Sequence, residues 1–303
     1  MTDTEQKKNI LTVDVNSAGQ RLDNFILKLD RAMPRSLAYK LCRTGQVRVN
    51  GSRSKPPLKL KEGDLVRVPP SLINASKDPT AIRKPIQFEV VHDDSDYLII
   101  NKPSGLAVHS GSHVKVGVID HLRASMPEGT YIELAHRLDR DTSGCLVLAK
   151  SRDALLHFQS QQQEGKLKKY YLALLKGTAE ESKWHVKEHL AKVSIGGERK
   201  VIVQDDGQSA HSIFHVMEQS QGYFLARIEI PTGRTHQIRV HSAWSGHPVA
   251  GDSKYGDAGF NVFLKKKGLK RLFLHAAELH LSNTNGEDII AHAHLPEALS
   301  SFS

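Results

Sequence analysis

Residues 135–150 read AHRLDRDTSGCLVLAK, and the chain is organised around them. The stretch opens with four ionisable residues in six, His136, Arg137, Asp139 and Arg140, adds Asp141, and turns through Thr142-Ser143-Gly144. The run Cys145 to Ala149 that comes next is short, apolar, rich in branched side chains and led in by a turn, which predicts a buried strand. Charged groups packed against a buried strand are costly unless they pair or carry a function. Local composition leaves two readings open, because Asp-x-x-Thr-Ser-Gly is also sound turn chemistry, with Asp and Ser side chains bonding nearby backbone.

Working outward, the 303 residues are enough for two domains with an ordinary core. No apolar run approaches the roughly 20 residues of a membrane span, and MTDTEQKKNI has no signal-peptide core. Cys42 and Cys145 lie far apart in apolar elements and read as reduced core residues of a cytoplasmic protein. The net charge of +9 favours a polyanionic partner, and its distribution says where. Between Arg21 and Pro70 twelve Lys and Arg face four Asp and Glu, a surplus of eight, so the remainder is close to neutral.

That basic segment has a compact pattern. A helix is expected from Arg21-Leu22-Asp23-Asn24-Phe25-Ile26, and a second from SLAYKLCRT, capped by Ser36 and stopped at Gly45. QVRVNGSR predicts a strand with Val47 and Val49 inward and Arg48 outward, turning at Asn50-Gly51, the preferred pair for a tight hairpin. Leu65 to Val68 is the last strand. Residues 1–17 read as a loose N-terminus and Ser71 to Lys84 as a linker. Two small helices and a hairpin joined at RTGQVRVNG resemble the S4 RNA-binding module. The resemblance places a domain at 18–80 and sets Arg35, Lys40, Arg43, Arg48 and Arg53 against RNA phosphates.

Residues 81–303 form the second domain. Strands are expected from Phe88 to Lys102 around a polar turn, then a Lys102-Pro103 turn, a helix from Val118 to Met126, and a helix from Arg152 to Glu164 capped by Ser151. Alternation puts Lys169, Tyr171 and Ala173 on one face of a strand, with Tyr170 on the other. Residues 177–210 carry no clear pattern. Strands at Ser212 to Glu218 and Tyr223 to Ile230 lead to PTGRTHQIRVH (231–241), a Gly turn and a helix with Thr235 as N-cap.

HRLDRDTSG, Lys169-x-Tyr171-x-Ala173, GRTHQIRVH with GHPVAGDSKYG after it, and Leu274-His275-Ala276 occur in that order. Together they resemble the RNA pseudouridine synthases that modify ribosomal and some transfer RNAs, and most of all the branch that pairs an S4 module with action on 23S ribosomal RNA. Where the family often continues with His-Pro, this chain has Asn283-Thr284. The resemblance implies an α+β fold in which a mixed, mostly antiparallel sheet is split by a central cleft. It makes Asp139, and not Asp141, the catalytic carboxylate, Arg239 its partner and Tyr171 the active-site tyrosine. Arg137, Lys169 and His136 fall to substrate binding, with Arg137 filling the stack that the target base leaves. The partner implied is 23S ribosomal RNA or an assembly intermediate, met by a monomer.

Isomerising uridine to pseudouridine neither oxidises nor hydrolyses anything, so no cofactor or metal is expected. Three routes are open to the carboxylate: attack on C6 of the uracil, attack on C1′, or removal of a ribose proton. Three rival readings remain beside this one. A non-catalytic assembly factor would lack one of Asp139, Tyr171 or Arg239. A metal hydrolase would need better ligand spacing than His236/His241 or His292/His294 provide. A family member with a different RNA target would keep every motif.

Overall fold

Charged residues alternating with branched apolar ones in the first seventy positions can bury one face only, and the chain uses them for a small four-stranded sheet backed by helices. The computed structural model describes residues 9–30, 33–75, 82, 84–110 and 116–302. It divides into two units, one of residues 1–85, 109–116 and 120–131, the other of 86–108, 117–119 and 132–303.

The smaller unit contains β1 (Ile10–Thr12), α1 (Leu22–Leu29), α2 (Arg35–Arg43), β2 (Arg48–Val49), β3 (Ser52–Arg53), β4 (Leu65–Arg67) and α3 (Pro70–Ala75). Leu22 and Ile26 of α1, Ala38 and Cys42 of α2, and Val49 and Val66 of the sheet close its core. Asn50 and Gly51 both take positive φ, the requirement of the two-residue hairpin that their sequence announced.

Three local expectations fail here. Ile10–Thr12 pairs with Leu65–Arg67 and Val13 is buried, so order begins inside the stretch read as loose; the strand-forming run Ile10-Leu11-Thr12-Val13 outweighs the polar residues around it. Residues 1–8 lie outside the described residues. Ser36 does not cap α2. Pro34 holds the extended N-cap conformation and its carbonyl accepts the N–H groups of Leu37 and Ala38, leaving Ser36 inside the first turn. The supposed linker opens with helix α3, seated by Leu72 in the core; residues 76–81 and 83 of it lie outside the described residues.

The larger unit is built on an eleven-stranded sheet. Its elements are β5 (Glu89–Asp93), β6 (Tyr97–Lys102), β7 (Glu133–Leu134), β8 (Ser143–Ala149), α5 (Arg152–Gln163), β9 (Lys168–Lys176), β10 (Lys183–Ile195), β11 (Glu198–Val203), β12 (Gln208–Ser220), β13 (Tyr223–Glu229), α6 (Gln237–Trp244), α7 (Ala258–Lys266), β14 (Leu274–Ser282), β15 (Asp288–His292) and α8 (Glu297–Ser300); α4 (Val118–Ala124), between β6 and β7 in sequence, is divided between the two units. The order is β11-β10-β12-β13-β9-β14-β8-β6-β5, with β15 on β14 and β7 on β8, and among the described residues only β8–β14 is parallel. Residues 177–210, patternless in sequence, contain the whole hairpin β10–β11. β10 turns Val186 and Leu190 inward, but Glu188 stands between them, and the other face carries Lys183, His185, Lys187 and His189, so the apolar alternation is thin.

One row of the sheet joins four strands. Gly144 of β8 pairs with Ala276 of β14, Ala276 with Tyr171 of β9, and Tyr171 with Ile228 of β13. Gly144 has φ +112 and a Cβ there would collide with the Ala276 carbonyl oxygen, so only glycine allows the parallel strands to meet. The loop before β8 is thereby brought to the same row as Tyr171.

Candidate active site

The loop 136–142 is held by the end of β6. Lys102, fully buried, donates from Nζ to the carbonyls of Pro103 (2.8 Å), Leu106 (2.8 Å) and Arg140 (3.0 Å). Ser104 Oγ donates to the Asp141 carbonyl at 2.7 Å and the Gly105 N–H to Arg140 O at 2.9 Å. Burial, then the Arg271 cation, push the Lys102 pKa down to about 7, against the pull of Asp141 and Asp139. The Lys102-Pro103 turn is therefore a clamp on the loop.

Within that loop the two carboxylates point to different partners. Asp141, 39% exposed, is engaged by its neighbour Arg140 at 3.0 Å. Asp139, 24% exposed, has Oδ2 3.4 Å from Arg239 Nη1 and 3.9 Å from His236 Nε2. Arg239 rises from α6 and is buried. Its Nε and Nη2 donate to Oδ2 and Oδ1 of Asp252 at 2.7 and 2.8 Å, a planar two-point grip that leaves Nη1 for Asp139. Burial works against the guanidinium charge, but the Asp252 and Asp139 carboxylates outweigh it and raise its pKa. Burial likewise opposes the charge of Asp252, and Arg239 with the N–H groups of Tyr255 and Lys254 holds its pKa below the ordinary value.

Tyr171 is buried; burial and the nearby Asp139 charge raise its phenol pKa well above the ordinary value. Lys169, two residues back on the same face, donates to Gln162 Oε1 at 3.0 Å and lies beside Gly233. Burial lowers its pKa to about 8. Tyr170 faces the other way, with the Arg227 guanidinium 3.6 Å over its ring. His136 stacks on Phe158 at 5.6 Å between centroids, and its Nε2 accepts the Val147 N–H at 3.1 Å. Burial, then the Lys169 cation, push His136 down to about 3, so the ring is neutral. One face and one nitrogen of His136 thus belong to the interior, while Arg137 is exposed.

Thr235 is not an N-cap. The turn is closed by Gln237, whose Oε1 accepts from the Arg234 N–H (3.0 Å) and Thr232 Oγ1 (2.8 Å), and α6 starts there after His236 in the left-handed region at φ 54. A histidine in that conformation is strained and recurs at sites where function holds it. His236 Nδ1 lies 2.8 Å from the Tyr255 hydroxyl, which also accepts the Val201 N–H at 3.0 Å. The sequence GDSKYG, read as a motif, assigns no role to Asp252 or Tyr255. The available signal was an Asp whose side chain bonds backbone two and three residues on, a local turn that also presents a carboxylate.

The five basic residues assigned to RNA are all exposed in the smaller unit. A sixth joins them. Arg48 pairs across the sheet with Arg53 on one side and Arg67 on the other. Arg48 Nε and Arg67 Nη2 both donate to the Gly45 carbonyl, at 3.3 and 3.4 Å, and Arg53 Nε sits against Gly45. Like charges directly opposed in a sheet cost stability unless an anion sits over them.

The larger unit is defined by a carboxylate and a guanidinium joined across a mostly antiparallel sheet, and the smaller by a basic helix–hairpin module. The RNA pseudouridylate synthase family model matches residues 96–244 and the S4 domain model residues 20–66. The chain is 42% identical over 290 residues to Ribosomal large subunit pseudouridine synthase C of Vibrio vulnificus (strain CMCP6), spanning 93% of this chain and 91% of that protein. It is 41% identical to the protein of the same name from Haemophilus influenzae, spanning 94% and 91%. Human RNA Pseudouridylate Synthase Domain Containing 1 superposes with a TM-score of 0.60 at 25% identity, over 72% of this chain and 87% of its own. The chain belongs to the RNA pseudouridine synthase family. Among the described residues no group of three or more His, Cys, Asp or Glu could hold a metal ion, and no helix is long and apolar enough to cross a membrane.

Proposed function

We propose that this protein isomerises particular uridines of large-subunit ribosomal RNA, the 23S species, to pseudouridine, with Asp139 as the catalytic carboxylate. The observation that carries the assignment is the divergence of two carboxylates on one loop: Asp139 faces the buried Arg239, and Asp141 is spent on Arg140 at the surface. The names of the relatives support the RNA target.

In the reaction the N1–C1′ bond breaks, the uracil turns, and a C5–C1′ bond forms; C5 loses a proton and N1 gains one, so the composition is unchanged. No electron leaves the system and no water is consumed, and side chains suffice. Asp139, facing Arg239 at 3.4 Å, starts the cleavage. The base must leave its stack to reach it, so the target is flipped. Tyr171 lies against the extruded uracil as a protonated phenol, and it assists the loss of the C5 proton by handing its own phenol proton on as it takes that one. Lys169 and the exposed Arg137 meet the RNA, Arg137 entering the vacated stack. His136 acts indirectly, by fixing the loop to β8. The exposed cations of the smaller unit hold the surrounding rRNA.

Mapping pseudouridines in ribosomal RNA from cells with and without the protein tests the target, and restoring Asp139→Asn in place of the wild type tests the residue. Sites that vanish with the gene, return with the wild type and stay absent with Asp139→Asn are expected. An unchanged large-subunit map removes the proposed substrate.

A further inference from the structure

The turn that carries His236 has a second side. Residues Arg234 and Thr235 line a pocket of about 330 Å³, together with Leu190, Ala191, Val201, Lys192 and the turn Asp206-Gly207-Gln208. Asp139, Tyr171, Arg239 and His236 are absent from its lining. Thr235 of this lining is followed directly by His236 of the catalytic side, with consecutive Cα atoms about 3.8 Å apart. The volume is at the small end of the roughly 300–1,000 Å³ of small-molecule sites, room for one nucleotide and not for a helix.

Its lining is graded. Leu190 and Val201, both buried, make an apolar floor on β10 and β11. Lys192 and Arg234 bring two exposed cations, and Gln208 brings an exposed side-chain amide that can both donate and accept. Asp206, the one acid, is turned to Gln204 Nε2 at 2.7 Å. The walls are fixed. Arg234 Nε donates to Ser209 O at 3.0 Å, and Gly207 is so close to the Leu190 backbone that an added Cβ would lie 2.5 Å from it. An apolar floor for a ring face, an amide for a base edge and two cations for a phosphate are the elements of a single-stranded nucleotide site.

We infer that this pocket receives an unpaired nucleotide of the same RNA, close to the target uridine along the strand, and so reads sequence that the catalytic side of the turn does not. The inference rests on the function proposed above. It would give the hairpin β10–β11 a role in choosing the uridine.

The test uses full-length protein and an RNA fragment carrying the target uridine, with the base removed in turn at each flanking position. Pseudouridine formation is measured as KM and kcat for the wild type, Gln208→Ala and Lys192→Ala. In the wild type one abasic position should raise KM about tenfold, within the range for loss of one base contact. In Gln208→Ala the intact fragment should already bind more weakly, and the same abasic position should then add less than about twofold, because the two changes remove one contact. Lys192, an exposed strand residue, gives a second variant whose fold is under no strain. Its loss should be felt on every fragment and should shrink as salt is raised. A wild type active on the fragment but indifferent to every abasic position overturns the pocket alone, as do Gln208→Ala losses that multiply fully with each base removal. A wild type that forms no pseudouridine in any large-subunit fragment overturns the functional proposal, and the pocket falls with it.

Discussion

The smaller unit displays its row of cations, and the larger one hides the cation of its site. Arg48, Arg53 and Arg67 stand side by side on an exposed sheet, Arg48 and Arg67 with backbone carbonyls as partners. Arg239 is 8% exposed and gripped at two points by a carboxylate that is fully buried. Exposed charges are screened and act by number, each contributing a little. Buried charges act by position, and each is expensive to leave without its partner. Single substitutions should therefore be drastic in the larger unit and graded in the smaller, a contrast that experiment can break.

The largest effect is expected at Asp139. Asp139→Asn keeps size and shape but removes the ionised carboxylate, so turnover should fall by at least about a thousandfold, the order seen when a residue that carries the chemistry is lost. RNA affinity should change little. Asp141→Asn should retain most of the activity, because its carboxylate is bonded to Arg140 at the surface. Measured kcat for the two variants on one fragment decides the matter, and a reversed pair would move the chemistry to the exposed carboxylate.

Next comes Asp252, which separates position from chemistry. Asp252→Ala leaves Arg239 buried with its main partner gone, a change that costs ~3–5 kcal/mol. Asp139→Ala removes a part-exposed carboxylate at 3.4 Å and should cost far less stability while abolishing activity. Urea denaturation of both variants checks the difference. Equal destabilisation would mean that Arg239 is held by both acids alike.

The same division governs how much of the molecule was open to sequence. Short runs such as Cys145–Ala149 and the Asn50-Gly51 turn were legible because their local chemistry and their burial agree. The hairpin β10–β11 was not, since Glu188 interrupts the inward row of Val186 and Leu190 and leaves the alternation a weak apolar signal. Asp139, Tyr171 and Arg239 came from motif resemblance. Their meeting depends on the row Gly144–Ala276–Tyr171, whose partners are over a hundred residues apart in places. His236 and Asp252 were passed over for a related reason: one needs a left-handed backbone and the other a partner thirteen residues away, and neither is written in composition.

A smaller effect should appear with acid. His241 is fully buried, with Nδ1 2.9 Å from Ser212 Oγ, and burial lowers its pKa to about 4. The unfolded chain takes up this proton first as pH falls. Stability from the neutral ring is thus complete above the ordinary histidine value of 6.5 and is lost as pH drops through the window down to about 4. Between pH 7 and pH 5 the loss from this group should be about 2 kcal/mol. His241→Gln, less stable at pH 7, should show a flatter pH dependence by that amount in urea titrations. Parallel curves for the two proteins would assign the acid sensitivity elsewhere, for instance to His136.

The smallest single effects belong to the arginine row. Each phosphate contact removed should lower the slope of log K against log salt by about 0.7 to 0.9, so Arg48→Gln, Arg53→Gln and Arg67→Gln should each weaken rRNA binding modestly and reduce the salt dependence by that step. Combined, the three should add nearly in full, because screened contacts to separate phosphates couple weakly. Arg48 is the informative one. It lies between two like charges, so Arg48→Gln should leave the smaller unit as stable as before or more stable by a few tenths of a kcal/mol, the size of a cross-strand pair term. A stability gain together with a binding loss would mean that this repulsion is retained for RNA. If Arg48→Gln instead destabilised the unit and left the salt slope alone, its bonds to the Gly45 and Gly51 carbonyls would be its role. The row would then act by position, as Arg239 does, and the contrast between the two units would fail at that residue.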